Sequence, residues 1–396
     1  MAALPAAGLP GFGASAAAAQ ESVRKGARIR KVEVLPTRVP FRHAFRIATG
    51  AVGGANAAGK HVFVRLETED GHVGWGETNT LPYWSYETLE SVTSTLRDHL
   101  GPMVMGRTPF EVNALERQWD LALAPAISNG HPFAKAAMQC ALLDLAGRVA
   151  GVSLSDMIGG RVHHTIDLTY ALSIADPRKM ADDAKGYPEC RCFKVKVAGE
   201  PEVDEQRVKA IAAARPDAEL WIDANQSYKP IALDTFLARI ADVPRVRCLE
   251  QPVKSQDWFG MKRARELRRF PVAVDEGCFS SYDVARLARM EAADLVVLKV
   301  AKSAGPLTCL RSANVADANG LGLLGSGLTE AGVMFAAAIH IYSTLDLLLP
   351  PELNGPEFLE SMLVDDLKIE GVTVTVPGGP GLGVRPHESE IRKLAL

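Results

Sequence analysis

The sequence predicts an α/β protein built around a TIM-type barrel, and three features of the chain lead to this fold class. Its 396 residues are too many for one small core and fit two domains, one of them a barrel of roughly 250 residues. A period-two hydrophobic pattern marks the N-terminal part, whereas short apolar strands alternate with helical segments after Gly160. The barrel is therefore expected to follow an α+β unit.

The N-terminal unit is predicted from strand, turn and helix patterns. Alternating apolar residues around Val32 and Val34 and again at residues 61–66 indicate two strands, and Asp70-Gly71 indicates a hairpin turn. Between the strands, residues 41–60 are rich in Gly and Ala, and a loop of this length is usually a functional lid. Amphipathic helices are predicted at residues 86–100, 110–123 and 134–149.

The barrel is predicted from strands that alternate with helices at a spacing of about 25 residues, which implies parallel strands joined by crossovers. Helical segments lie between the strands, for example at residues 203–214, 258–269 and 282–290. An eighth strand is expected near residues 345–349. The first seven predicted strands are 166–172, 192–197, 220–223, 247–250, 272–275, 294–299 and 321–325.

The composition favours chemistry on a small molecule. A net charge of -3 provides no positive field for nucleic acid or anionic lipid, and 47% hydrophobic with 23% charged residues is ordinary for a globular protein. The six cysteines form no CxxC pair, so they are interpreted as reduced core thiols. We therefore expect neither a nucleic-acid partner nor a zinc site.

The first 20 residues contain no charged side chain and consist mostly of Ala, Gly, Pro and Leu. We interpret them as a disordered tail, with the end of an export signal as the alternative, because the positive start of such a signal is missing. No other uncharged apolar run approaches the ~18 residues of a membrane span. A cytoplasmic protein is therefore expected, with export as the alternative.

The chemically informative side chains stand at the C-terminal ends of successive predicted strands. In a barrel these ends meet at one rim, where active sites are built. From Lys196 to Lys299 the spacings are 27, 27, 25 and 24 residues. Such regular spacing favours a shared site over charged residues that merely contact solvent at the strand ends. The residues concerned are Lys194, Lys196, Asp223, Glu250, Asp275 and Lys299.

The three acids of this series predict a metal site. Asp223, Glu250 and Asp275 close three successive strands, and carboxylates so close together repel one another unless a cation lies between them. Hard oxygen ligands with room for water and for a bidentate substrate suit Mg²⁺, with Mn²⁺ as a substitute. We therefore predict a magnesium centre at the rim.

The lysines of the series predict proton transfer at a carbon acid. Lys194 and Lys196 lie on the strand before the metal strands, and Lys299 lies on the strand after them. A divalent ion bound to the substrate carboxylate would stabilise the enediolate that forms when the α-proton leaves. A lysine near another cation loses its own proton more easily, and Lys194 shares a face with Lys196.

With these residues in place, the chain resembles the enolase superfamily, in particular its muconate lactonizing enzyme subgroup. The resemblance covers nearly everything after Arg28 and is carried by Lys194-Val195-Lys196, Asp223-Ala224-Asn225, Leu249-Glu250-Gln251-Pro252, Val274-Asp275-Glu276, Leu298-Lys299 and Gly74-Trp75-Gly76-Glu77. It implies a (β/α)7β TIM-type barrel under an N-terminal α+β capping domain. The expected parts are a tail or signal remnant at 1–27, the cap at 28–155, the barrel at 156–355, and residues 356–396 returning to the cap.

The resemblance also implies residue roles. Mg²⁺ would be held by Asp223, Glu250 and Asp275, with Lys196 and Lys299 as opposed acid/base groups and Lys194 as electrostatic support. Asn225 and Glu276 would support the metal ligands. Substrate would be bound by cap loops and by the far rim of the barrel, with His43, Tyr83, Trp84, Glu352 and Asn354 as candidate contacts. Relatives are commonly homo-oligomers, so a homo-oligomer is expected.

Members of the subgroup share enediolate formation and differ in outcome. The segment from Glu352 to Pro356 resembles that of the cycloisomerases, and Asn354 departs from the paired aspartates of dipeptide epimerases. A muconate-type cycloisomerase acting on a small carboxylate is therefore the first expectation. Gly277 and Ala304 depart from the cycloisomerase pattern, so a racemase or epimerase of an amino-acid derivative or betaine, or a dehydratase of a hydroxy amino acid, is the alternative. A barrel that only binds a metal or an acid would not need two opposed lysines.

Overall fold

The computed structural model describes residues 27–52, 57–125 and 129–396. Of the tail predicted at residues 1–27, only Ala27 lies among the described residues, and its side chain is buried. Within the described ranges, no helix is both long and apolar enough to cross a membrane. All six cysteines are buried and unpaired, as the spacing of the cysteines predicted.

The N-terminal unit is built on a three-stranded antiparallel sheet with the order β1-β4-β5. A short antiparallel hairpin, β2-β3, occupies part of the stretch that was predicted to be a loop at residues 41–60. Residues 53–56 of that stretch lie outside the described residues. The five strands are β1 (Ile29–Pro40), β2 (Phe45–Ile47), β3 (Gly50–Val52), β4 (Ala58–Thr68) and β5 (Val73–Thr80).

Helices follow this sheet, and the three that the sequence predicted are present with ends shifted by a few residues. A π-helical turn, Thr95–Leu100, separates the first two short α-helices. The helices are α1 (Leu89–Ser94), α2 (Gly101–Val104), α3 (Val112–Ala122), α4 (Pro132–Ala150) and α5 (Leu154–Met157).

Two glycines let α4 pack directly on the sheet. A side-chain carbon at Gly76 would collide with the backbone carbonyl of Ala137, and one at Gly74 would collide with that of Ala141. Helix α4 is buried from Pro132 to Gly147 because it lies between this sheet and the barrel. The glycines of the Gly74-Trp75-Gly76-Glu77 motif therefore set the distance between sheet and helix.

The second unit is a curled parallel sheet of seven strands in which each strand pairs with the next one along the chain. Because both faces of such a sheet are covered, its strands are apolar and almost entirely buried. The strands are β7 (Tyr170–Leu172), β8 (Cys192–Lys196), β9 (Glu219–Asp223), β10 (Val246–Glu250), β11 (Val272–Val274), β12 (Leu295–Leu298) and β13 (Gly322–Gly325), preceded by the short β6 (Thr165–Asp167).

Helices connect these strands, as right-handed crossovers require. Most begin with proline in the first turn, where the missing N–H costs no helical hydrogen bond. The connecting helices are α6 (Pro177–Lys185), α7 (Pro201–Ala214), α8 (Pro230–Arg239), α9 (Trp258–Glu266), α10 (Ser281–Met290) and α11 (Pro306–Ala318). Two more, α12 (Gly332–Tyr342) and α13 (Gly355–Phe358), follow the last strand.

Two strand predictions need correction. The segment 166–172 is two strands, since β6 pairs with a C-terminal strand and only β7 joins the barrel. The eighth strand predicted at 345–349 is wrong, because this segment has no strand geometry. Backbone bonds from Leu348 to Leu323, from Glu352 to Gly325 and from Thr169 to Pro351 close the barrel instead. Pro350 and Pro351 lack the N–H that a regular ladder requires.

The C-terminal residues return to the N-terminal sheet. The amide of Leu396 donates to the carbonyl of Pro36, and the amide of Arg38 donates to the carbonyl of Leu394. The elements of this part are β14 (Val364–Asp365), β15 (Ile369–Glu370), β16 (Thr373–Thr375), β17 (Arg385–Pro386) and α14 (Glu388–Lys393).

Glu77 fastens the sheet to the barrel. Its carboxylate is fully buried and accepts hydrogen bonds from the amides of Ala331 (2.7 Å), Val333 (3.1 Å) and Met334 (3.0 Å) at the start of α12. His61 Nδ1 lies 2.9 Å from the same carboxylate. The positive end of the helix and its unpaired amides thus receive a charge from the other unit.

We expect Glu77→Gln to lower the free energy of unfolding by about 2 to 3 kcal/mol, because a neutral amide cannot satisfy the same buried donors. Glu90→Gln is the control, since Glu90 also lies in the first turn of a helix but is exposed, and its replacement should change the free energy of unfolding much less. Urea unfolding of both variants measures the difference. Equal losses would contradict the role given to Glu77.

His340 makes the stability depend on pH. The ring is buried, its Nδ1 accepts from the Ser155 amide at 3.3 Å, and its Nε2 donates to the Leu382 carbonyl at 3.1 Å. Burial lowers the pKa of His340 to about 4. In the unfolded chain the imidazole of His340 is protonated near pH 6.5, whereas in the folded protein it is protonated only near pH 4.

Stability is therefore expected to fall by about 3 kcal/mol between pH 6.5 and pH 4 on account of His340, since one pKa unit is worth ~1.4 kcal/mol. Urea unfolding across this range, in buffer free of divalent ions, measures the slope. His340→Asn should flatten it, and an unchanged slope in this variant would assign the effect to other groups.

Candidate active site

The strand ends bring the predicted site residues together. Lys194 and Lys196 lie on β8 and point into the barrel on the same face as the interior residue Cys192. Lys196 pairs in register with Asp223 on β9, and Asp223 pairs with Glu250 on β10. The side chains of these residues are buried.

Asp275 and Lys299 complete the rim one residue beyond β11 and β12. Lys299 Nζ lies 3.1 Å from Asp275 Oδ2, whereas Lys196 Nζ lies 2.6 Å from Asp223 Oδ2. Glu250 lies on the strand between the two pairs. Lys196 thus contacts Asp223 and Lys299 contacts Asp275, so the two amines flank the acids on opposite sides.

Lys194 occupies the centre of the cluster. Its Nζ lies 3.0 Å from Glu250, 3.3 Å from Asp223 and 3.4 Å from Glu352, and 4.4 Å from the centre of the Trp221 ring below. Although burial opposes it, the charges of Glu250, Glu352 and Asp223 hold the pKa of Lys194 well above its ordinary value. The surrounding carboxylates therefore favour the charged form of Lys194.

The charges of the acids are unevenly balanced. Burial and then the charge of Asp223 raise the pKa of Glu250 well above its ordinary value, which indicates that the cluster lacks positive charge there. Against the effect of burial, Lys299 and Lys302 lower the pKa of Asp275. A divalent cation near Glu250 would supply the missing charge.

The cluster fits a metal ion, although the oxygens available differ in part from the predicted set. One buried oxygen each of Glu250, Asp275 and Glu276 makes no hydrogen bond of good geometry among the described residues, and ligand atoms of these three lie within 4.8 Å of one another. Those of Glu250 and Asp275 lie 3.0 Å from Lys194 Nζ and 3.1 Å from Lys299 Nζ. Asp223 accepts from Lys196 and from the Asn225 amide instead. Carboxylate oxygens at this spacing are the ligands that Mg²⁺ prefers.

Asn225 and Glu276 lie beside the acids. The Asn225 side chain donates to Glu276 Oε1 at 3.1 Å, and its backbone amide donates to Asp223 Oδ1 at 2.9 Å. Burial and then the charge of Asp275 raise the pKa of Glu276 to about 7.

Glu352 and Asn354 lie on the far side of the rim. Ser326 Oγ donates to Glu352 at 2.6 Å and accepts from Lys299 Nζ at 3.0 Å, and the Asn354 side chain donates to Glu352 at 2.8 Å. Ser326 was not singled out from the sequence, although it directly follows the strand predicted at 321–325.

Two cap segments cover the lysines. The Trp84 ring lies 5.1 Å from Lys299 Nζ, and the Phe45 ring of the β2-β3 hairpin lies 5.9 Å from Lys196 Nζ. Tyr83 and Trp84 also line an open cleft of about 570 Å³ that reaches Glu276. His43 is exposed and lines a different pocket with Tyr170 and Glu357, so the structure does not bring it to the lysines.

The chain is similar to known proteins over most of its length. Residues 29–159 match the family described as mandelate racemase / muconate lactonizing enzyme, N-terminal domain, and residues 178–390 match the family described as enolase C-terminal domain-like. The chain is 28% identical to the N-succinyl-L-Arg/Lys racemase of Bacillus cereus over 93% of its own length and 98% of that relative. It is 30% identical to a chloromuconate cycloisomerase of Cupriavidus necator over 90% of its own length and 95% of that relative.

Solved structures show the same similarity. The crystal structure of the Bacillus cereus racemase matches with a TM-score of 0.87 at 27% identity, covering 93% of this chain and 98% of that one. A muconate lactonizing enzyme from Pseudomonas fluorescens in complex with muconolactone matches with a TM-score of 0.87 at 27% identity, covering 94% and 100%. The chain belongs to the enolase superfamily, within its mandelate racemase and muconate lactonizing enzyme group, and is an isomerase.

Proposed function

We propose that this isomerase removes the proton α to the carboxylate of a small substrate, and that Lys196 and Lys299 are the acid/base groups. The observation that carries the proposal is the placement of these two amines at opposite flanks of one buried acid cluster. Each is within about 6 Å of an aromatic ring from the cap, which limits the access of water to the reacting atoms.

Glu250 and Asp275, together with Asp223 or Glu276, would hold Mg²⁺ in this cluster. The ion, when bound, supplies positive charge that stabilises an enediolate. Lys194 adds a fixed positive charge from below, since it is held as a cation by the surrounding carboxylates. These charges are in place before the reaction begins, so little reorganisation is needed as negative charge develops on the substrate.

Racemisation or epimerisation of an amino-acid derivative is the outcome that the two-sided geometry supports best. One lysine, as its free amine, accepts the α-proton from one face of the carbon. The opposite lysine, as its ammonium, returns a proton to the other face and inverts the centre. Such a reaction needs a proton-transfer group on both faces, and Lys196 and Lys299 provide one each.

Cycloisomerisation is the second candidate, and the sequence alone favoured it. The observation in its favour is the segment from Glu352 to Pro356, which places Glu352 at the rim within reach of Lys194 and Ser326. Cycloisomerases are among the similar proteins, but at about 28% identity the substrate does not carry over.

A screen in D₂O separates these outcomes. The protein with Mg²⁺ is incubated with N-succinyl and other N-acyl amino acids, dipeptides, betaines, hydroxy amino acids and cis,cis-muconate. Deuterium at the α-carbon with inversion marks a racemase or epimerase, loss of water marks a dehydratase, and lactone formation from muconate marks a cycloisomerase. Absence of both exchange and turnover across the whole panel would refute the proposed proton abstraction.

A further inference from the structure

Lys302 is a fourth lysine at the centre, and neither strand periodicity nor strand ends point to it. It lies in the turn between β12 and α11, three residues after Lys299, and its side chain is only 1% exposed. Its Nζ donates to the backbone carbonyl of Asp275 at 2.7 Å and to Asp275 Oδ1 at 2.7 Å. Both hydrogen bonds therefore go to the same residue.

The two oxygens of Asp275 have different surroundings as a result. Oδ1 is bound by Lys302, whereas Oδ2 lies 3.1 Å from Lys299 and has no partner of good hydrogen-bond geometry among the described residues. On the other side of the backbone, Gln251 Oε1 accepts from the Asp275 amide at 3.0 Å. The backbone N–H, the backbone carbonyl and one carboxylate oxygen of Asp275 are all held.

Stability alone is a poor explanation for this arrangement. Removing a lysine and an aspartate from water costs free energy, and this desolvation offsets much of the attraction between their charges. Apolar residues of similar volume often stabilise a fold equally well. The ring of Phe279 lies 5.8 Å from Lys302 Nζ, so apolar surroundings are already present there. A buried pair that fixes a single rotamer is instead typical of a group that orients a metal ligand.

We propose that Lys302 is a positioning residue that holds Asp275 Oδ1 and thereby presents Oδ2 as the single oxygen of Asp275 facing the metal ion. The inference rests on the proposed function, because it assumes that Asp275 binds Mg²⁺. It adds to that function a lysine, Lys302, that contacts a metal ligand and not the substrate. Its action is on the geometry of the centre and not on the substrate.

The test is Mg²⁺ affinity measured by isothermal titration calorimetry, which needs no substrate. We expect Lys302→Met to weaken Mg²⁺ binding about 10- to 100-fold, the usual effect of removing a group that orients a metal ligand. The direction of the change in Mg²⁺ affinity distinguishes positioning from a simple effect of charge. If Lys302 acted only through its charge, removing a cation next to the centre would tighten Mg²⁺ binding. Unchanged or tighter binding would overturn the inference.

Lys135→Met is the matched control. Lys135 is also buried, and its Nζ also donates to one carboxylate (Asp120, 2.7 Å) and to one backbone carbonyl (Asn129, 2.7 Å). It lies on α4 and has no contact with the acid cluster, so its loss should lower the unfolding free energy without changing Mg²⁺ affinity. Weaker Mg²⁺ binding in both variants would indicate a general effect of destabilisation and would contradict the role of Lys302.

Two further variants keep the test decisive. Lys302→Arg retains the charge and a donor, and it should recover most of the affinity that Lys302→Met loses. If the methionine variant does not fold, Lys302→Gln replaces it, with the same expected direction. A wild-type protein that binds no Mg²⁺ would refute both the proposed function and this inference, whereas equal affinity in wild type and variants would refute only the inference.

Discussion

Replacing Lys196 with alanine is expected to suppress α-deuterium exchange of one enantiomer of the substrate by about 10²- to 10⁴-fold, the usual contribution of a positioned acid/base group. Exchange of the other enantiomer should persist, because Lys299 still faces its α-proton. Lys299→Ala should give the reverse pattern. Racemisation itself should be lost in both variants, since it needs both faces.

Proton nuclear magnetic resonance in D₂O measures this prediction, with each enantiomer of the carboxylate identified in the screen as the probe. Lys135→Ala serves as the control, because Lys135 is a buried and ion-paired lysine outside the site. It should leave exchange of both enantiomers unchanged. Full exchange of both enantiomers by either active-site variant would show that the role assignment is wrong.

Glu250→Gln is expected to have the second large effect, with a loss of turnover of about 10²- to 10³-fold or more and much weaker Mg²⁺ binding. Glu250 lies at the middle of the cluster, where one of its buried oxygens is 3.0 Å from Lys194 Nζ but makes no hydrogen bond of good geometry. An amide there removes one negative charge from the metal site. Lys194 keeps Asp223 and Glu352 as partners, so the fold should tolerate the change.

Calorimetric Mg²⁺ titration and the rate of α-deuterium exchange at saturating Mg²⁺ check this expectation. Glu116→Gln is a suitable control, because Glu116 is a half-buried acid on α3 that pairs with Arg311 away from the cluster. If the Glu250 variant bound Mg²⁺ as tightly as wild type, Glu250 would not be a metal ligand.

The convergence of the charged residues was predictable because each of them closes an apolar strand, and strand ends in a barrel meet at one rim. The order Lys196, Asp223, Glu250, Asp275, Lys299 along the chain is the order of the strands around the sheet. A regular repeat thus converts sequence positions into spatial neighbours.

Contacts that depend on side-chain reach were not predictable in this way. Lys302, in the turn after β12, donates to Asp275 at the end of β11, and Phe45 of the β2-β3 hairpin lies near Lys196. His43 lies only two residues before Phe45 but lines another pocket, because the chain bends at residues 42 and 43 and the strand begins only at Phe45, so the two side chains do not share a strand face. The eighth strand was mispredicted because its apolar residues run into two prolines.

The attachment of Glu77 to the start of α12 has a consequence for how substrate enters. Moving the whole N-terminal sheet away from the barrel would break the hydrogen bonds from the amides of Ala331, Val333 and Met334 to Glu77 at once, so this movement is energetically unfavourable. We therefore expect substrate to enter past the small segments that carry Phe45 and Trp84, which lie over the two lysines. Replacing these segments is expected to change which substrates bind, while Lys196 and Lys299, the proposed proton-transfer residues, stay in place.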